Sequence, residues 1–325
     1  MIVGVCLTKL SEGARSWTDA FAEGVLSHGD QPIPIVEQKQ LEFLGAECDV
    51  SIQVADQHYS DDDTGPLMAY SEGRPCGAFE EGIENFRAGI VHVQKKNNKP
   101  RVILDRGFVW HRDFFSICIN EIKRPGLLHT ANSPSDRWNK LGIPIPQWAE
   151  GGNNILVLGQ NEHGQGTKTL REKGLSFLDW SNFILKEIRK HTDKKIIYKP
   201  HRMQRYKPQP VENCIVLPCF ASYDILGFMV SAGEEAKMCD YLIDSWCVVS
   251  CASNGAIDSL LSGYPAITTS RDSVAYDECS HDICEINSPK RGDLTQWCNN
   301  LGYAQWNQEE LKSGEAWEYI KRHFS

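Results

Sequence analysis

Lys199, His201 and Arg202 stand together in YKPHR (198–202), two cations and an imidazole within four positions. Arg202 can grip two oxygens at once through its planar fork, and Lys199 supplies a point charge. That is chemistry for an anion, and a diphosphate suits it. About fifty residues later comes VVSCASNGAIDSLLSGYPAITT (248–269), in which an apolar run meets a knot of small polar residues. Ser253 or Asn254, just before Gly255, is the natural N-cap of a short helix with Ala256, Ile257, Leu260 and Leu261 on its buried face. Gly263 is the stop of that helix, with Pro265 just beyond. A helix start has free backbone N–H groups and a partial positive charge, so it holds phosphate well. Asp258, four residues after Asn254 on the same face, can accept hydrogen bonds from ribose hydroxyls. The plainer reading of these residues is capping with a solvent-facing Asp258.

Both motifs do chemistry together only if the fold brings them to one edge. The run before YKPH, KKIIY, reads as a strand, which places Lys199, His201 and Arg202 at its C-terminal end. Ligands of open parallel sheets bind at that edge. Residues 2–7, the PIPIV run, 50–55, 89–94 and 101–105 read as strands of a first half. Trp17, Ala20, Phe21, Gly24 and Val25 fall on one helix face between the first two. Residues 56–77, with the triple Asp61-Asp62-Asp63, read as a polar loop. A Pro-rich passage, 125–146, reads as a connection. The pattern then restarts with NNILVLGQ (153–160), a helix over 178–190 with Phe183, Ile184 and Ile188 on one face beside Trp180, then KKIIY, NCIVLP, DYLIDSWCVVS and AITT. A last helix, 308–324, carries Trp317, Ile320 and Phe324. Strand and helix alternating in this way mean parallel α/β sheets in two halves.

The 325 residues are comfortable for two domains, and 41% hydrophobic with 24% charged is an ordinary globular composition. No stretch reaches the uncharged length of a membrane span, and the first residues lack the pattern of a signal peptide. The expectation is a cytoplasmic protein. Twelve cysteines are scattered without a CxxC pair and read as small buried hydrophobes. Cys279, His281 and Cys284 come nearest to a metal pattern, but no second ligand pair flanks them, so no metal is expected. A net charge of −9 argues against a surface coated for nucleic acid. One strip, 186–208, is densely basic, which suggests a local anionic ligand. Lys186, Arg189 and Lys190 within it read as a solvated helix face.

A KPH-type motif after one strand, followed by Ser-Asn-Gly-x-x-Asp-x-Leu-Leu-x-Gly-x-Pro, resembles GT-B glycosyltransferases. The nearest likeness is to phage-encoded and capsule-type (Kdo transferase-like) nucleotide-sugar transferases. VLGQ, with Gly159 and Gln160, resembles the first strand and loop of their nucleotide-sugar domain, and SPSDRW (133–138) is associated with phage-encoded members. The resemblance implies an α/β chain of two Rossmann-like domains facing a cleft. The acceptor domain is expected over 1–148 and the nucleotide-sugar domain over 149–325, with the closing helix 308–324 crossing back. It implies a UDP-sugar as co-substrate, with no further cofactor. Lys199, His201, Arg202, Ser253, Asn254 and Gly255 would hold the diphosphate. Asp258, where the family usually has Glu, would hold the ribose.

The first half would then hold the acceptor and any catalytic base. LDRG (104–107) ends the strand RVILD and puts Asp105 and Arg106 at the sheet's ligand edge. An inverting transfer needs a carboxylate or His to take the acceptor hydroxyl's proton. Asp105 is the first choice, with His111 and Asp136 behind it. The plainer reading is an Asp105 that pairs with Arg106 or caps a turn. Gly13, in the loop after the first strand, would let the backbone approach sugar or acceptor, and Arg106 would stand on the acceptor side. The basic strip and the phage likeness lean to a hydroxymethylated pyrimidine in DNA as acceptor, against the overall negative charge. A surface or capsular glycan is the alternative acceptor. An epimerase-like enzyme acting on the nucleotide sugar alone is the alternative activity.

Overall fold

The computed structural model describes residues 1–7, 12–54, 81–109, 113–162, 164–223, 229–231 and 238–324. His111, the segment 56–77 with its triple Asp, and residues 8–11 lie outside them. The strands are β1 Ile2–Cys6, β2 Gln31–Ile35, β3 Val50–Val54, β4 Arg101–Arg106, β5 Phe114–Ile119, β6 Asn154–Leu158, β7 Lys195–Lys199, β8 Cys214–Val216, β9 Ser222–Tyr223, β10 Met229–Ser231, β11 Ser245–Ser250, β12 Ala266–Thr268 and β13 Gln305–Asn307. The helices are α1 Glu12–Ser27, α2 Leu41–Ala46, α3 Glu81–Lys96, α4 Lys123–Gly126, α5 Asp136–Leu141, α6 Lys168–Glu172, α7 Phe177–His191, α8 Met238–Leu242, α9 Gly255–Leu261, α10 Thr295–Ala304, α11 Gln308–Ser313 and α12 Glu315–Lys321.

The described residues fall into two Rossmann-like α/β units, one of 1–54, 81–141 and 299–324, the other from 142 to 298. The first unit's sheet runs β13-β5-β4-β3-β1-β2. β2, β1, β3 and β4 are parallel; at one edge β5 pairs antiparallel with β4, and β13 antiparallel with β5. Val3, Val5, Ile52, Leu104 and Ile117 form its core with Phe21 and Val25 of α1 and Trp317 and Ile320 of α12. α1 and α11 approach so closely that a Cβ on Gly24 would lie 2.0 Å from the Leu311 carbonyl oxygen. The second unit's sheet, β12-β11-β6-β7-β8, is parallel throughout. Phe177, Trp180, Ile184, Leu185 and Ile188 of α7 cover it. Ser176 caps that helix, accepting the Asp179 N–H at 3.0 Å while Asp179 accepts the Ser176 N–H at 3.0 Å. The reciprocal pair satisfies two backbone donors at the helix start.

Several sequence expectations need correction. Residues 89–94 lie inside α3 rather than in a strand. Ile90 is buried and Val93 packs beside it toward Leu41 and Leu44, a spacing of three that a helix satisfies. Gly13 sits in the first turn of α1, not in a loop. Ala14 and Arg15 are good helix formers, and Ala14 lies one turn before Trp17 on the same face. Phe183 is 60% exposed, because the buried face of α7 runs through Trp180 and Ile184 instead. The run before β11 begins as helix α8. The last helix is two helices, broken at Gly314 with φ +89°, a left-handed conformation that glycine takes without strain. Residues 125–146 hold α4 and α5, with Trp138 fully buried.

Candidate functional site

The second unit's sheet grows from β6 in two directions. The chain first adds β7 and β8 on one side, then returns to add β11 and β12 on the other. A crevice opens at such a reversal, beyond the C-terminal ends of the two strands that flank it. Here those ends are Leu158–Gln160 after β6 and 251–255 after β11. They are joined directly, since the Ala252 N–H donates to the buried Gln160 Oε1 at 2.7 Å. On the other side, the Gly159 N–H donates to the Lys199 carbonyl at 2.7 Å. A Cβ on Gly159 would lie 2.7 Å from the His201 nitrogen and 2.2 Å from Gln204 Oε1. Gly159 is therefore a seat for the loop after β7. The structure thus brings Gly159, Gln160, Lys199, His201, Ser253, Asn254 and Gly255 to one sheet edge.

The loop after β7 is held rigidly by a residue that no motif announces. Gln204 is buried, with its amide among the Tyr198 hydroxyl (2.9 Å), the Tyr206 carbonyl (2.9 Å) and the His201 N–H (3.4 Å). The Tyr198 hydroxyl, 3.0 Å from Ser181 Oγ, is fixed in turn by α7. His201 Nδ1 accepts the Met203 N–H at 3.1 Å, so the neutral ring carries its proton on Nε2 and donates there. Lys199 is half-buried and Arg202 exposed, and among the described residues neither side chain has a hydrogen bond or ion pair. In sequence the charged residues of HRM outshine Gln204, whose neutral amide gives no signal of its position.

At the start of α9, the N-cap residue is Asn254, but its side chain makes no cap bond. Ser253 Oγ instead accepts the Gly255 N–H at 3.2 Å. Asp258 lies in the first turn of this seven-residue helix and is half-buried. Gly263 ends the turn that follows with φ +82°.

Asp105, Arg106 and Gly13 belong to the first unit. Asp105 sits at the end of β4, opposite Ser116 of β5, and its Oδ1 accepts the Arg106 N–H at 2.8 Å. Nearby, Gln305 Oε1 accepts the N–H groups of Phe108 (2.7 Å) and Val109 (3.0 Å), which fixes the start of the β4–β5 loop. Asp136 accepts the Tyr303 hydroxyl with both oxygens, at 2.9 and 3.0 Å. Its neighbour Arg137 is a structural clasp. The buried guanidinium binds Glu310 through two bonds at 3.1 and 3.0 Å, reaches the carbonyls of Gly302 and Gln305, and lies 3.5 Å from the Trp306 ring centroid.

The basic strip offers less to a polyanion than its composition suggests. Arg189 donates to the carbonyls of Thr192 (2.5 Å) and Lys194 (2.9 Å) beyond α7. Lys190 bonds Glu187 at 2.7 Å, and Lys194 donates to the Gly152 carbonyl at 2.8 Å beside the Trp246 ring. Among the described residues no three His, Cys, Asp or Glu side chains gather as a metal site. Burial pushes the Cys279 thiol up to about 12, and His281 stacks on Tyr276 at 3.7 Å. No described helix is long and apolar enough to cross a membrane.

No protein-family model matches the chain, and no curated protein matches it. Among solved structures it is similar to the beta Kdo 2,7 transferase of Thermosulfurimonas dismutans KpsC, at 13% identity over 99% of this chain and 100% of that one, with a TM-score of 0.49. The beta Kdo 2,4 transferase of the same KpsC is 11% identical over 92% of this chain and 90% of that one, with a TM-score of 0.45. A UDP-GlcNAc 2-epimerase of Methanocaldococcus jannaschii, in complex with UDP-GlcNAc and UDP, is 10% identical over 99% of this chain and 100% of that one, with a TM-score of 0.29.

Proposed function

We propose that this protein is a glycosyltransferase that takes its sugar from a nucleotide-sugar donor, a UDP-sugar in the first instance. The observation that carries the reading is the placement of Lys199 at the end of β7, and of His201 and Arg202 on the rigid loop after it, beside the β6–β11 crevice. Two cations without partners among the described residues and an oriented ring N–H suit a diphosphate. Ser253, Asn254 and Gly255 border the same crevice, and Asp258 would take the ribose hydroxyls. An acceptor hydroxyl attacks the anomeric carbon. The bond from that carbon to the phosphate oxygen breaks, and its electron pair leaves with the diphosphate. Lys199 and Arg202 stabilise that charge as it develops, so the reading expects activity to survive a chelator. Asp105 is the proposed base for the hydroxyl proton, with Arg106 and Gly13 on the acceptor side.

For the acceptor, electrostatics favour a glycan over DNA. The net charge is −9, and Arg189, Lys190 and Lys194 of the basic strip are committed to internal partners. The test is a thermal-shift screen with UDP-, GDP-, CMP- and TDP-sugars, followed by assay of nucleotide release with glycan acceptors and with hydroxymethylated DNA. At least one nucleotide sugar should stabilise the protein, and an added glycan should speed nucleotide release. Release driven by the DNA alone would reassign the acceptor. Epimerised sugar without any acceptor would favour the epimerase activity, and the absence of any nucleotide-dependent shift would remove the reading.

A further inference from the structure

At the donor edge of the second unit, one carboxylate is placed but not used. Glu162 lies two residues beyond Gln160, on the loop leaving β6. Its backbone is tied down: the Thr167 hydroxyl lies 2.8 Å from the Glu162 carbonyl and 2.7 Å from that of Gly164, and Arg171 Nη1 donates to both carbonyls at 3.0 Å. The side chain is half-buried, yet among the described residues its carboxylate has no hydrogen bond and no ion pair. Asp272, at the same end of this unit, is by contrast engaged by Thr169 at 2.8 Å and Ser270 at 3.4 Å.

The loop that carries Glu162 leaves β6 at the crevice, where Gln160 meets Ala252. Burial pushes its carboxyl up from the ordinary carboxylate value, and Arg205, on the loop that carries His201, pulls the other way. Its charge also adds to the burial that pushes the Tyr198 phenol up. Glu162 thus has Arg205, on the loop after β7, and Tyr198, within β7, as electrostatic neighbours. A desolvated carboxylate with no donor costs stability, and a chain tolerates that cost where a ligand supplies the donors. Lys199, His201 and Arg202 already answer to the phosphates, so the remaining need of a nucleotide sugar is for acceptors of its sugar hydroxyls.

We infer that Glu162 binds the sugar moiety of the donor, accepting hydrogen bonds from its hydroxyl groups, an assignment that rests on the nucleotide-sugar reading above. Glu162 then separates nucleotide sugar from bare nucleotide, while the loop after β7 takes the phosphates of both. The sugar hydroxyls would offset the part of the desolvation cost that the Arg205 charge leaves uncompensated.

The test titrates UDP, UDP-glucose and UDP-N-acetylglucosamine calorimetrically into wild type and Glu162→Gln, with melting curves of both proteins without ligand. Wild type should bind at least one of the two sugars more tightly than UDP. In Glu162→Gln that margin should shrink about tenfold or more, the order expected for hydrogen bonds to a charged group. UDP affinity should stay within about threefold, and the melting temperature should hold or rise. A margin retained in Glu162→Gln overturns the assignment, as does an equal loss for UDP. A fall in melting temperature, or failure to fold, makes Glu162 a structural partner of Arg205 and overturns it too. Wild type that binds UDP but neither sugar more tightly overturns it while leaving the nucleotide site standing. No binding of any probe removes the nucleotide reading itself.

Discussion

The two units end their parallel sheets differently. In the second, β6 stands between strands added in opposite directions, and four polar side chains there make no hydrogen bond or ion pair among the described residues: Lys199, Arg202, Asn254 and Glu162. In the first, β4 pairs with the antiparallel β5, and Asp105 near the end of β4 already accepts the next backbone N–H. Charged groups of the first unit fasten the C-terminal segment. Arg137 holds Glu310, and Asp30 takes hydrogen bonds at 2.7 Å from both Trp317 and Lys321. One unit uses charge as structure; on the proposed reading, the other keeps it in reserve for a ligand.

The largest expected effect tests the structural use. Arg137→Ala strands the buried Glu310 carboxylate, which the guanidinium otherwise offsets. Breaking a buried pair from one side costs about 3–5 kcal/mol. Urea denaturation should read that loss, and a loss under about 1 kcal/mol would mean the clasp is incidental. Next comes Gly159→Ala, which sharpens the contrast from the other side. The added methyl meets Gln204 and the backbone at Pro200 and His201. Overpacking costs about 1–3 kcal/mol, and the loop that carries His201 must shift. UDP affinity should drop at least tenfold with the fold intact, whereas unchanged affinity would separate Gly159 from the site.

The smallest effects are pH-dependent and belong to the first unit. Burial pushes the His129 imidazole down to about 4, assisted by His323 and opposed by the Gly126 carbonyl. A folded value below the ordinary 6.5 means stability present above pH 6.5 and lost as pH falls from there toward 4. The loss between pH 7 and 5 should be about 2 kcal/mol. For Asp30, burial acts upward, but hydrogen bonds from Lys321, the N-terminal ammonium and Trp317 bring the carboxyl down to about 2. Its contribution, also about 2 kcal/mol, is present above pH 4 and lost as pH falls through 2. Melting curves across this range should show both windows. His129→Gln should flatten only the upper one, and a profile unchanged by that variant would clear His129 of the role.

What the sequence disclosed follows the same division. β6, β7, α7, β11 and β12 were legible because each is a local apolar pattern closed by polar or glycine residues. Spacing alone therefore gathers the residues at their ends on one edge. β5 and β13 were not legible. β13 is three residues long and pairs with a strand almost two hundred positions earlier, a contact no local window contains. Residues 89–94 misled because a short apolar run fits helix and strand alike. Gln204, Gln305 and Glu162 were missed for another reason. Their importance lies in which backbone groups or neighbours they face, and a lone Gln or Glu has no spacing that announces it.

On the proposed reading, the loop after β7 is a diphosphate site whose cations, Lys199 and Arg202, have no hydrogen bond or ion pair among the described residues. Calorimetric titration of UDP into wild type and into Lys199→Ala/His201→Ala tests it most directly. Wild type should bind. The double variant should melt within a few degrees of wild type, since Lys199 has no partner among the described residues and the His201 ring gives up its hydrogen bond from the Met203 N–H, and lose UDP affinity about a hundredfold or more, as loss of two charge-assisted contacts requires. A folded double variant that binds UDP as wild type does would contradict the account.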